Sequence, residues 1–169
     1  MNNIIKTIVA ATMAFVITGC DKLPTPERMT EISTAIGKTA AVACELSKTK
    51  KEVREAILNV LDIAGKVVPA PGKTFTETWT PIIKEEVQKL VDAGKLDKAA
   101  ATTVQIALAA ACSGLDYVFV KYPKAKDVEE LVAASITGFI NGYKSVGSLM
   151  ATENLEIDND AYEYIKKNI

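Results

Sequence analysis

Apolar residues recur at three- and four-residue steps through five stretches of this 169-residue chain, and prolines and glycines punctuate the gaps. That spacing gathers the apolar side chains on one face of an α-helix. Met29, Ile32, Ile36, Ala40, Ala43 and Leu46 make the first face, and Val53, Ile57, Val60, Leu61, Ala64 and Val67 the second. Ile82, Ile83, Val87, Leu90 and Val91 make the third. In the fourth, Val104, Ala107, Leu108, Ala111, Leu115 and Val118 form a stripe, while Ile106, Ala109, Ala110 and Phe119 leave few polar positions elsewhere. A helix apolar on most sides belongs at the centre of its fold. Val128, Val132, Ile136, Phe139, Tyr143, Val146 and Met150 complete the set. No stretch alternates with a period of two for long enough to make a strand. The expected fold is all-α, a compact bundle of five to six helices packed antiparallel around the fourth.

Local signals place the boundaries. Thr25-Pro26-Glu27 has the form of a helix start, with an N-cap, a first-turn proline and an acid, and helix one is expected to run to about Leu46. Thr49-Lys50-Lys51-Glu52 matches a capping box for helix two, which stops before Pro69-Ala70-Pro71-Gly72. Thr80-Pro81 is expected to begin helix three and Gly94 to end it. Asp97 caps helix four, from about Lys98 to Lys121. Pro123 breaks the chain, Asp127 with Glu130 marks helix five, and a short last helix covers about Asn159 to Asn168. In that scheme Phe75 and Trp79 fall between helices two and three. There they plug the bundle end, line a pocket, or dip into a nearby membrane interface.

The first twenty residues are of another kind. Met1 to Lys6 are a polar start, and Ile8 to Ile17 an apolar run of about ten residues. A bilayer-spanning helix needs about twenty, so this run fits an export signal instead. It closes on Ile17-Thr18-Gly19-Cys20, a branched apolar residue, two small ones and a cysteine. These residues resemble the lipobox of bacterial lipoproteins, and the resemblance covers residues 1 to about 21. It implies cleavage before Cys20, a diacylglycerol thioether on that cysteine, and acylation, commonly with palmitate, of the new amino group. Three acyl chains hold far more tightly than one, at about 0.8 kcal/mol per buried methylene. The resemblance also implies location in the cell envelope, on the periplasmic side. Asp21 resembles an inner-membrane retention signal of enteric bacteria. The chain thus divides into a signal peptide (1–19), a lipidated cysteine with a short tether (20–26) and one helical domain (27–169).

Removing the first 19 residues leaves 150, enough for one domain with a real core. Without Lys6, 19 basic residues face 21 acidic ones, a balance that offers no broad basic field for nucleic acid or anionic lipid headgroups. The chain has no histidine, which removes the commonest general base and the commonest metal ligand together. Besides Cys20 it has Cys44 and Cys112. Outside the cytoplasm such a pair is expected to form a disulfide, closing a loop worth about 4 kcal/mol. Two buried free thiols are the alternative.

Other motifs are weaker. Gly72-Lys73-Thr74 matches the tail of a phosphate-binding loop, but Val67 stands where the motif needs a glycine and no strand precedes it. Asp158-Asn159-Asp160 matches the opening of a calcium loop, with Glu163 in the glycine slot; helix capping accounts for it. Glu85-Glu86 and Glu129-Glu130 are adjacent, hence about 100° apart on a helix, and do not converge on a substrate. Ala134, Gly138 and Gly142 lie four apart on helix five. Glycine inside a helix costs about 1 kcal/mol relative to alanine, so close approach of a neighbour is expected to offset it. Helix four, rich in alanine, is the expected neighbour, with a partner helix or a hinge as the alternatives.

The function expected from these features is non-catalytic. The chain reads as a lipid-anchored envelope protein that binds another envelope protein or an incoming one, with Phe75, Trp79, Gly138 and Gly142 as binding candidates. No cofactor or metal is expected beyond the lipid on Cys20. In size and anchor it resembles the small exclusion and envelope accessory lipoproteins of phages and prophages. The alternative is a carrier or sensor of an apolar small molecule or lipid, with its pocket inside the bundle.

Overall fold

A computed structural model of the chain describes residues 23–148 and 157–169. Cys20, with the rest of the export signal, and Met150 lie outside the described residues. The helices are α1 (Pro26–Ala43), α2 (Lys51–Ala64), α3 (Phe75–Asp92), α4 (Lys98–Lys121), α5 (Glu129–Ser148) and α6 (Asn159–Lys167). Tight 3₁₀ turns occupy Leu46–Lys48 and Pro123–Asp127. The fold is the expected all-α bundle, with six helices and no strand among the described residues.

Two helix starts are where the caps put them. Thr25 Oγ1 accepts from the Arg28 N–H ahead of Pro26, and Asp97 accepts from the Ala100 N–H. Two others differ. The Thr49 box does not form; Thr49 Oγ1 lies 3.3 Å from the Glu45 carbonyl oxygen, and Lys50 caps α2 with no side-chain bond. α3 begins at Phe75, five residues before Thr80, through a reciprocal box between Thr74 and Glu77. Pro81 therefore lies inside α3. Pro81 and Glu77 are both exposed, so water can satisfy the Glu77 carbonyl that the missing proline N–H leaves free. α1 stops at Ala43, short of Leu46: Glu45 turns the chain with a left-handed φ of 55°, and Leu46 is folded fully into the core.

α4 is central, packing against each of the other five helices. It is long and apolar enough to cross a membrane by length and composition, but most of it is enclosed by the bundle. Sequential helices run antiparallel. Tyr143 of α5 reaches the Ala107 carbonyl of α4, while Phe139, one turn earlier in α5, lies over Gly114, later in α4. Asp62 of α2 pairs with Lys144 at 2.8 Å, while Gly65, further along α2, meets Ile140 and Ile136.

Five alternating helices leave the first and last of them parallel, and these two pack side by side. Gly138 sits on Thr30 and Gly142 on Thr34, four residues on in both helices. A Cβ on Gly138 would collide with the Thr30 carbonyl oxygen, one on Gly142 with that of Thr34, and one on Gly37 with that of Phe139. Thr34 Oγ1 also lies 3.1 Å from the Gly138 carbonyl oxygen. The glycine ridge thus packs against α1, not against α4 as expected. Small residues on both helices bring the two backbones together, and the contact offsets the helix-interior cost of glycine.

The sign of Gly142→Ala tests this packing. In open space the exchange would gain about 1 kcal/mol of helix propensity. Against the Thr34 carbonyl it should instead cost about 1–3 kcal/mol by overpacking. Thermal melts should then show Tm lowered by roughly 3–10 °C; an unchanged or raised Tm would mean that the backbones are not in contact.

Candidate functional site

A concave surface gathers where α3, α4, α5 and the connection after α2 meet at one end of the bundle. Its construction starts with the N-terminus of α3. Glu77 Oε2 accepts from the Thr74 N–H at 2.9 Å while Thr74 Oγ1 accepts from the Glu77 N–H at 3.0 Å. The hydrogen bond from Thr74 is the main reason that the Glu77 carboxyl titrates below its usual range. Asp116, from α4, completes the cap by accepting from the Phe75 N–H (2.7 Å), the Thr76 N–H (3.2 Å) and the Thr76 hydroxyl (2.6 Å). Its negative charge also lies at the positive end of the α3 dipole. Two helices are thereby held in fixed register.

That register assembles an aromatic cluster. Phe75 stands edge-on to Trp79 at 5.1 Å between centroids and stacks on Phe119 of α4 at 5.6 Å. Trp79 is fully buried, and its indole N–H donates to the Val67 carbonyl at 2.8 Å. The bond ties the α2–α3 connection, Val67 to Pro71, down on α3. A cleft of about 250 Å³ remains outside it, floored by Phe75, Phe119 and Val132 and walled by Val68–Pro71. Lys126, Asp127 and Glu129 stand at its rim. Apolar walls with mixed charge around them suit an aliphatic or aromatic group presented on a polar body.

The remaining candidates are placed as follows. Phe75 lines the cleft, whereas Trp79 is sealed beneath it, on α3 rather than in the connection that the sequence suggested. Gly138 and Gly142 face α1, away from the cleft. Cys44 and Cys112 are free thiols and form no bridge in the structure. The Cys44 sulfur instead lies 3.1 Å from the Tyr143 hydroxyl, which donates to the Ala107 carbonyl at 2.9 Å. Burial pushes the Cys44 thiol up from its ordinary pKa, and burial with the nearby Asp116 charge pushes Cys112 up to about 12. Neither is primed as a nucleophile. Asp158 caps α6 through the Ala161 N–H. Glu85 and Glu86 both pair with Lys89, and Glu129 and Glu130 lie in the first turn of α5. No cluster of metal-ligating side chains occurs among the described residues.

Sequence reasoning missed Asp116, Gly37 and Gly114. A lone aspartate within an apolar helix was the available signal for the first. The small residues Thr30, Thr34 and Gly37, in step along α1, were the signal for the second. Gly114 admits the Phe139 ring, a contact that needs the fold to be seen. Comparison with known proteins gives no match, either to a family model, to a curated protein or to a solved structure.

The thiol environment predicts an alkaline weakness. Below about pH 9 Cys112 is protonated in both states; above it the unfolded chain ionises while the folded one does not until about pH 12. Stability should therefore fall by about 1 kcal/mol from this group between pH 8 and 10, and Cys112→Ala should flatten that slope in urea melts. Apart from Cys20, native protein at pH 8 should resist thiol reagents and denatured protein should titrate two thiols. A bridged chain would titrate none until reduced.

Proposed function

We propose that the chain is a lipid-anchored protein of the bacterial envelope that acts by binding another protein on the periplasmic side, without catalysis and without nucleic acid. The observation that carries this reading is Ile17-Thr18-Gly19-Cys20 set directly against a folded domain whose first helix starts at Pro26. The lipid would be the only prosthetic group, and Asp21 favours the inner membrane. Two further observations are consistent with a binding role. Glu77, Asp116 and Asp158 are engaged in helix caps and Glu85 and Glu86 in ion pairs, and burial raises the pKa of both thiols. The likeness to phage-type exclusion and accessory lipoproteins in size and anchor suggests an incoming or neighbouring envelope protein as the partner. Cys20→Ser should move the exported protein from the membrane to the soluble fraction. It should also abolish the crosslinked adducts that the parent forms in intact cells. Membrane partition unchanged by Cys20→Ser would refute the anchor.

The cleft favours a second reading, a carrier or sensor for an apolar molecule. Val67, held by the Trp79 indole, belongs to the connection that walls the cleft. Trp79 is the sole tryptophan, so its emission reports on that wall. A saturable emission shift on titration with lipids or quinones would support this reading over protein binding, and a flat titration would dismiss it.

A further inference from the structure

The directions of the helices decide which end of the bundle an anchor at Cys20 would hold. Leu23 follows Cys20 by three residues, so the two lie within about 11 Å of each other whatever the backbone does between them. α1 then enters the bundle in parallel register with α5, Thr30 against Gly138 and Thr34 against Gly142. The start of α1 is thus level with the first turns of α5. The same end holds the Pro123–Asp127 turn, the last turn of α4, the first turn of α3 and the connection from Lys66 to Thr74. The opposite end, with the Glu45–Lys50 and Ala93–Asp97 connections, lies a helix length away, about 30 Å for the twenty residues of α5. A leash of 11 Å does not bring that far end to a bilayer.

The end near Cys20 has the surface that such a placement calls for. Val67 and Val68 are 39% and 48% exposed at its tip, though the Trp79 indole holds the Val67 backbone in place. Lys66, Lys73 and Lys124 are exposed beside them and Lys126 half-buried, and none of the four closes an ion pair among the described residues. Asp127, Glu129 and Glu130 offset part of this charge. The match is therefore to phosphate groups, which every phospholipid carries, rather than to a strongly anionic field.

We propose that this end seats on the phospholipid surface, with Val67 and Val68 entering the boundary between headgroups and acyl chains and the four lysines meeting phosphate oxygens. The proposal rests on the lipidated Cys20 of the preceding section. Two valines are too little apolar surface to bind a membrane alone. A short tether changes that by raising the effective concentration of the surface at the bilayer to the millimolar range. The far end and the flanks of the bundle are then the surfaces left for a protein partner.

The test uses the full lipidated protein in vesicles of brominated phospholipid. Val68→Trp reports from the seated end, Lys95→Trp from the far end, and Trp79 in the parent sets the baseline. Val68→Trp emission should be quenched several-fold more than the baseline, and Lys95→Trp should add no quenching. Replacing the four lysines with glutamine should reduce the Val68→Trp signal. No extra quenching of Val68→Trp, or equal quenching of both reporters, would overturn the proposal. Mass spectrometry of the same preparation separates it from the anchor. A modified Cys20 with silent Val68→Trp sinks the seating alone. An unmodified Cys20 with quenched Val68→Trp sinks the anchor and the tethered seating argued from it, and an unmodified, silent protein sinks both.

Discussion

Everything in this bundle depends on how closely α1 and α5 approach. Gly138 and Gly142 present bare backbone to the carbonyls of Thr30 and Thr34, and Gly37 returns the same contact to Phe139 and Tyr143. At such a distance side chains no longer intervene, and the register is read by backbone atoms and by Thr34 Oγ1. Shape complementarity of this kind has little tolerance, because a close-packed interior transmits a shift of even one methylene. The two helices are also the first and last long elements of the domain. Their contact closes the chain on itself, and α4 packs against both of them as well as against α2, α3 and α6.

The same contact decides which elements share an end of the bundle. Because α1 and α5 run parallel, the start of α1, the last turn of α4 and the first turn of α3 share one end. Asp116 consolidates that end by capping α3 from α4, a cross-helix cap that supplements the local box of Thr74 and Glu77. The same carboxylate leaves Phe75 in stacking distance of Phe119, so a polar interaction sets the floor of the apolar cleft. α6 closes another flank. Thr39 Oγ1 of α1 accepts from the Asp158 N–H, Lys121 of α4 lies 3.7 Å from the Asp158 carboxylate, and Ala161 and Ile165 are fully buried.

Much of this was legible from residue order, and the failures have physical causes. The apolar period located all five long helices, and strong local caps at Thr25 and Asp97 set the starts of two of them, because a cap acts within four residues and needs no tertiary help. The proline at 81 misled because local chemistry was weighed without burial. A Thr-Pro pair is a good start, but beginning at Phe75 buries Phe75 and Trp79 and gains Asp116, which a start at Thr80 would forgo. The Thr49 box yielded to the turn at Glu45, which sends Leu46 into the core and engages the Thr49 hydroxyl. The glycine ridge was visible, yet its partner was not, since spacing along one helix says that something comes close and not what. The cleft was the least legible feature. Its lining comes from α3, α4, α5, the Pro123–Asp127 turn and the connection after α2, and only Phe75 among those residues had stood as a binding candidate.

The interior's largest polar side chain shows how a buried hydroxyl holds the helices in register. The Tyr143 hydroxyl is fully buried, and a buried hydroxyl without partners costs several kcal/mol. Here it donates to the Ala107 carbonyl and lies against the Cys44 sulfur, linking α5 to α4 and to the end of α1. That arrangement works only in one register, since slipping α5 by a turn would strand the hydroxyl among Phe139, Leu108 and their apolar neighbours. Burial raises the pKa of Tyr143 far above its ordinary value and that of Cys112 to about 12, so at neutral pH neither exchanges a proton. Groups with such values set register rather than transfer protons. Tyr143 thus fixes register from inside the core, while the exposed valines, the lysines and the cleft lie together at one end of the surface.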